Sequence, residues 1–116
     1  MRFENLEPIG REAAGTMLSE GTQEEKVGAL LRLTYHDPDR EWLQSLCIDI
    51  LHTSNDLWLR RTAITCIGHI ARIHGNVDVK VVRPLLERLR EDAELSGFVD
   101  DTLADLTTFL PRLKAD

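Results

Sequence analysis

Apolar side chains recur three and four residues apart along almost the whole chain, and no run of four or more residues alternates as a half-buried strand would. The spacing predicts six short helices. Pro8 suits a first turn, so the first helix is expected from there to about Ser19, with Gly21 as its stop. Thr22 followed by Glu25 is a capping box, and the helix it opens carries Val27, Leu30, Leu31 and Leu33 before fading near His36. The turn "HDPD" (36–39) introduces a third helix to about His52, with Pro38 in its first turn and Asp37 as cap. "TSND" (53–56) offers Asn55 or Asp56 as cap for the fourth and longest helix, which ends at Gly75. A fifth is expected over 79–93, capped by Asp78, with Pro84 inside it as a kink or a later start. Ser96 and Gly97 open a sixth that runs to about Leu110, before Pro111. Connections of a few residues make neighbouring helices antiparallel. The fold class is therefore all-α. With no linker or low-complexity break, residues 1–116 read as a single domain.

Two heptapeptides look alike, "WLQSLCI" (42–48) and "WLRRTAI" (58–64), and each begins at one of the chain's two tryptophans. On a 3.6-residue period Leu43, Leu46, Cys47, Ile50 and Leu51 form one stripe of the third helix, with Trp42 at its edge. Leu59, Ala63, Cys66, Ile67, Ile70 and Ile73 form the matching stripe of the fourth. Packing thus accounts for the likeness. A second ridge on the fourth helix, Trp58, Thr62, Thr65, His69 and Arg72, carries the residue mix enriched at interfaces. It reads either as a contact surface or as a boundary ridge packed on the next helix.

Composition adds limits. Net charge is −6, against the basic footprint of nucleic-acid binders. Between Glu87 and Asp105 seven acids face two arginines. Asp101 and Asp105 share a face of the sixth helix and Asp100 lies beside them; they read equally as a solvated helix start or as partner contacts. Cys47 and Cys66 fall within helical patterns and suit a reducing compartment, taken as the cytosol. No segment is apolar enough for a membrane span or a secretory signal. Nucleotide-loop, zinc-protease and C-x-x-C motifs are missing, and Cys66 with His69 makes only two potential ligands, so neither catalysis, metal nor cofactor is expected.

The segment "NDLWLRRTAITCIGHIA" (55–71) resembles the second helix of a HEAT-type repeat. Asp56, Leu59, Arg60, Ala63, Cys66, Ile67 and Gly68 stand at its loop-acid, apolar, arginine and small-residue places. That resemblance implies three helix pairs in a HEAT/ARM-like right-handed α-solenoid. Leu59, Arg60, Ala63 and Gly68 would be its structural positions, and Arg60 would pair with Asp37 or Asp39. The second, fourth and sixth helices would then line one surface. "LLRLTYHDPDREWLQ", "TAITCIGHIARIHG" and "DDTLADLTTFL" are similar to a family of bacterial immunity proteins of contact-dependent growth inhibition and related polymorphic toxin systems. This implies a non-enzymatic cytoplasmic protein that neutralises the C-terminal domain of a cognate toxin, a basic nuclease, without touching nucleic acid or membrane. The candidate contacts are Trp58, His69, Arg72, Asp100, Asp101 and Asp105. The alternative is a general helical-repeat interaction scaffold.

Overall fold

The computed structural model describes residues 6–110, which form six helices and, within that range, no strand. They are α1 (Arg11–Glu20), α2 (Gln23–His36), α3 (Arg40–Thr53), α4 (Leu57–His74), α5 (Val79–Leu89) and α6 (Ser96–Phe109). Most helix ends follow local chemistry. Thr22 and Glu25 close a full capping box on α2, and the Asp56 carboxylate accepts the Leu59 N–H at 3.1 Å to start α4. Gly75 ends α4 at φ 68°, a left-handed position that a Cβ would strain.

Three boundaries depart from expectation. The first helix begins at Arg11 after Gly10, so Pro8 precedes it. The cap of α3 is Asp39, whose carboxylate takes the Trp42 N–H; Asp37 ends α2 and accepts the Asp39 N–H instead. α5 stops at Leu89 and tight turns carry the chain into α6, with the Asp92 carbonyl accepting from Leu95 and Ser96. Pro84 sits within α5 without marking a later start. Its missing N–H falls on the exposed side, where Lys80, four residues back, can be solvated. The stop expected at Pro111 lies outside the described residues.

Each odd-numbered helix pairs with the next: α1 with α2, α3 with α4, α5 with α6. α4 also packs on α2 and α6, and so lies between them. Contacts along the helices give their directions. Gln23 reaches Asp56 at one end of α2, and Tyr35 reaches His69 at the other. Arg61 lies over Phe98, and Thr102 bonds the Ile64 carbonyl. Sequence number rises together in each pair, so α2, α4 and α6 run parallel.

One hydrophobic cluster joins all six helices. It is aliphatic apart from Cys47 and Cys66, which are free thiols with no exposure. A Cys66 contact and burial push the Cys47 thiol up. The sandwiching of α4 explains two core assignments that one stripe misses. Ile64 is fully buried because α6 covers a second face. Ile73, expected in the core, is 39% exposed. α2 ends at His36, level with Ile70 in the parallel register, and leaves the last turn of α4 uncovered.

The two look-alike heptapeptides lie on adjacent antiparallel helices, and their third residues have different tasks. Gln44 is buried, and its carbonyl accepts the Asp78 N–H at 2.7 Å and an Arg40 N–H at 3.1 Å. Arg60 donates to the Leu51 carbonyl at 3.3 Å, not to Asp37 or Asp39 as expected. Those two carboxylates are held by Arg11 at 2.8 and 3.4 Å, and the Arg11 guanidinium lies over Trp42, 4.0 Å from the ring centre. A cation from α1 has therefore taken the place expected for Arg60.

Candidate functional site

The side chains that α4 points between α2 and α6 form a strip that is exposed at its ends, Trp58 and Arg72, and half-buried between them. Trp58, Arg61, Thr65, His69 and Arg72 follow one another at helical spacing, and from Trp58 to Arg72 the strip is about 21 Å long at 1.5 Å per residue. Thr62, expected on this ridge, is buried, its hydroxyl bonded to the Trp58 carbonyl at 2.8 Å.

Tyr35 from α2 borders the strip, its ring centre 5.2 Å from that of His69 and its hydroxyl 3.4 Å from Nε2. An Arg72 terminal nitrogen is 3.4 Å from Nδ1. Because a guanidinium can only donate, Nδ1 accepts, and Nε2 carries the ring proton toward Tyr35. This arrangement suits a neutral imidazole. Burial holds the His69 pKa below its ordinary value, Arg72 lowers it further, and Asp105 opposes both.

α6 borders the other side. Phe98 lies under the Arg61 guanidinium, 5.0 Å from the ring centre, and Arg61 Nε donates to the Glu94 carbonyl at 2.9 Å. Asp105 packs against Gly68, where an added Cβ would stand 2.8 Å from its Oδ2. Gly68 therefore permits α6 to place a carboxylate beside His69. Asp101 lies between Phe98 and Asp105 on that flank, about one turn from each. The parallel register brings Phe109 to the level of Arg72.

Five of the six expected contact residues thus share one surface: Trp58, His69, Arg72, Asp101 and Asp105. Asp100 does not. It points to the other side of α6 and pairs with Arg90 at 2.7 Å. Tyr35, Arg61, Phe98 and Phe109 belong to the surface and were missed by reading one helix at a time. The available signal was their aromatic and cationic character on neighbouring parallel elements. Trp58 is 45% exposed, and Tyr35, Phe98 and Phe109 are each more than one-third exposed. Among the described residues no aromatic side chain is fully buried; Trp42 packs partly buried against the core, and Tyr35, Trp58, Phe98 and Phe109 are left exposed.

Other places offer less. A groove of about 540 Å³ lies among Leu18, Lys26, Ile50, Ser54, Asp56 and Leu59. Its Asp56 is occupied in capping α4 and receiving Gln23, and Ser54 accepts the Asp56 N–H. Among the described residues no three His, Cys, Asp or Glu side chains gather closely enough to hold a metal, and no helix is long and apolar enough to cross a membrane.

Neither a family model nor a curated protein matches the chain. Among solved structures, a chain in the crystal structure of a CDI complex from Cupriavidus taiwanensis LMG 19424 superposes with a TM-score of 0.81. It is 30% identical, and the match covers 94% of this chain and 97% of that one.

Proposed function

This chain belongs to the same family as that component of the Cupriavidus taiwanensis complex, and on this footing we propose that it is the immunity partner of a contact-dependent growth inhibition toxin. The near end-to-end match to a component of a CDI complex carries the reading. A toxin component would need converging catalytic groups. The described surface offers instead exposed aromatics and charges on a rigid three-helix platform, the make-up of a binding face. It acts by occupying the toxin, without chemistry of its own and without cofactor.

The three helix pairs, with α2, α4 and α6 parallel, act as one short HEAT-like stack and a single domain, and this supports a face built from successive second helices. Its target is the C-terminal toxin domain, of nuclease class, held in the cytoplasm of the producing cell. Net charge −6 favours encounter with a basic enzyme. Trp58 is the apolar anchor at one end of the face, with Phe98 near it and Tyr35 farther along, beside His69.

Co-expression with the toxin region encoded directly before this gene tests the reading. The chain should rescue growth and co-purify with that domain, and Trp58→Ala should weaken the complex at least tenfold while leaving the melting temperature unchanged. Loss of growth despite soluble chain would refute it.

A further inference from the structure

We propose that the α2–α4–α6 face is recognised by charge of both signs: the toxin domain brings carboxylates to Arg61 and Arg72 of α4, and cations to Asp101 and Asp105 of α6. This rests on the toxin-binding reading and names the chemistry of the partner surface.

Positive charge is concentrated on α4. The chain carries −6 overall, yet the 18 residues of α4 hold three arginines, two histidines and no acid. Arg61 and His69, half-buried, and Arg72, exposed, lie on the strip. A face meant only for a basic cleft would not place two arginines on its central helix.

The charges of the face are also unpaired. Three exposed arginines elsewhere find carboxylates: Arg11 with Asp37, Arg83 with Glu87, Arg90 with Asp100. Among the described residues Arg61, Arg72, Asp101 and Asp105 have no ion-pair partner, although the helices carrying them are in contact. Packing explains why. Asp105 is seated over Gly68, and the two arginines leave α4 away from it, Arg61 about two turns before that position and Arg72 about one turn after. Arg61 lies over Phe98 with its Nε bonded to the Glu94 carbonyl, which leaves its two terminal nitrogens for a partner. Such a fork suits a bidentate carboxylate.

Sign then excludes whole classes of partner. Covering a charge without a counter-charge costs free energy. A uniformly cationic surface would be repelled by Arg61 and Arg72, and a uniformly anionic one, a nucleic acid included, by Asp101 and Asp105. A folded protein surface with both signs, registered to two parallel helices, satisfies all four. The same pattern sets its orientation, because a half-turn of the partner would bring like charges together.

Arg72 and Asp101 are both exposed, so their reversal tests the idea without touching the core. Titration calorimetry with the cognate toxin domain should show Arg72→Glu and Asp101→Lys each weakening binding at least tenfold, with unchanged thermal melts. A toxin surface that is only basic would make Arg72→Glu bind more tightly; tighter or unchanged binding overturns the two-signed face and leaves the toxin reading intact. Unmodified chain that does not bind the toxin domain sinks the toxin reading itself. Sedimentation of the free chain provides a separate outcome. Self-association abolished by the same reversals would assign the face to a second copy and overturn the proposal.

Discussion

At position 68 two requirements meet that a single helix cannot display. A glycine inside a helix gives up about 0.5–1 kcal/mol relative to alanine. Here a methyl group would press on Asp105 Oδ2 at 2.8 Å, but would stand 3.5 Å from the Asp105 Cβ. The obstruction is thus the movable end of one side chain. Gly68→Ala in the native background should change stability little, because helix propensity and displacement of the carboxylate oppose each other. In an Asp105→Ala background the obstruction is gone, and Gly68→Ala should stabilise by about 0.5–1 kcal/mol. Urea denaturation of the four proteins measures the coupling, and equal effects in both backgrounds would refute steric pressure from Asp105 as the reason for glycine. The small-residue pattern marked Gly68 for close approach. It could not say that the approaching group is an acid from α6, since that depends on a packing partner 37 residues away.

Among elements, the likeness of residues 42–48 to 58–64 is shared packing grammar on adjacent antiparallel helices. The functional difference lies at the third place of each copy. The Gln44 carbonyl receives the backbone N–H of Asp78 and so fastens the α4–α5 connection to α3. Gln44→Leu keeps similar volume and removes that acceptor; it should cost about 1–3 kcal/mol, the usual penalty for leaving a buried donor unsatisfied. A chemical-denaturation midpoint close to native would show the bond to be dispensable. The expected repeat arginine failed for a related reason. Arg60 lies within reach of α3, whereas Arg11 from α1 reaches both Asp37 and Asp39 and stacks on Trp42. Only Ala14 of α1 is fully buried, with Met17 and Leu18 half-buried, so this clamp adds to a thin apolar attachment of α1. Arg11→Ala should speed amide exchange in α1 well before α4 is affected. Equal acceleration throughout would mean that α1 is an integral part of the cooperative unit.

For the whole molecule, periodicity was enough to reveal six helices, the caps of α2 and α4 and most of the core, because these depend on neighbours within about one turn; Asp78, expected to cap α5, makes no side-chain cap bond. The proposed binding face was half legible. Trp58, His69 and Arg72 share a helix and so share a period. Tyr35, Arg61 and Phe98 join them only through the parallel register of α2, α4 and α6, and Asp100 leaves because Arg90 claims it. This register also determines how the molecule responds to acid. In the folded chain His69 is kept neutral by burial and by Arg72, so its pKa lies below the ordinary value of about 6.5 that it regains on unfolding. Between those two values the unfolded state binds more protons, and stability must fall as pH falls. Asp37, held by Arg11 below the ordinary carboxylate range of about 3.9, adds a second loss in the same direction at lower pH. Melting temperature should therefore decline in two stages on acidification, the first beginning near neutrality. His69→Gln should flatten the first stage and leave the second, while Arg11→Ala should soften the second alone. A first stage that persists unchanged in His69→Gln would place the sensitive proton elsewhere, and the neutral imidazole bridging Tyr35 and Arg72 would no longer describe the centre of the face.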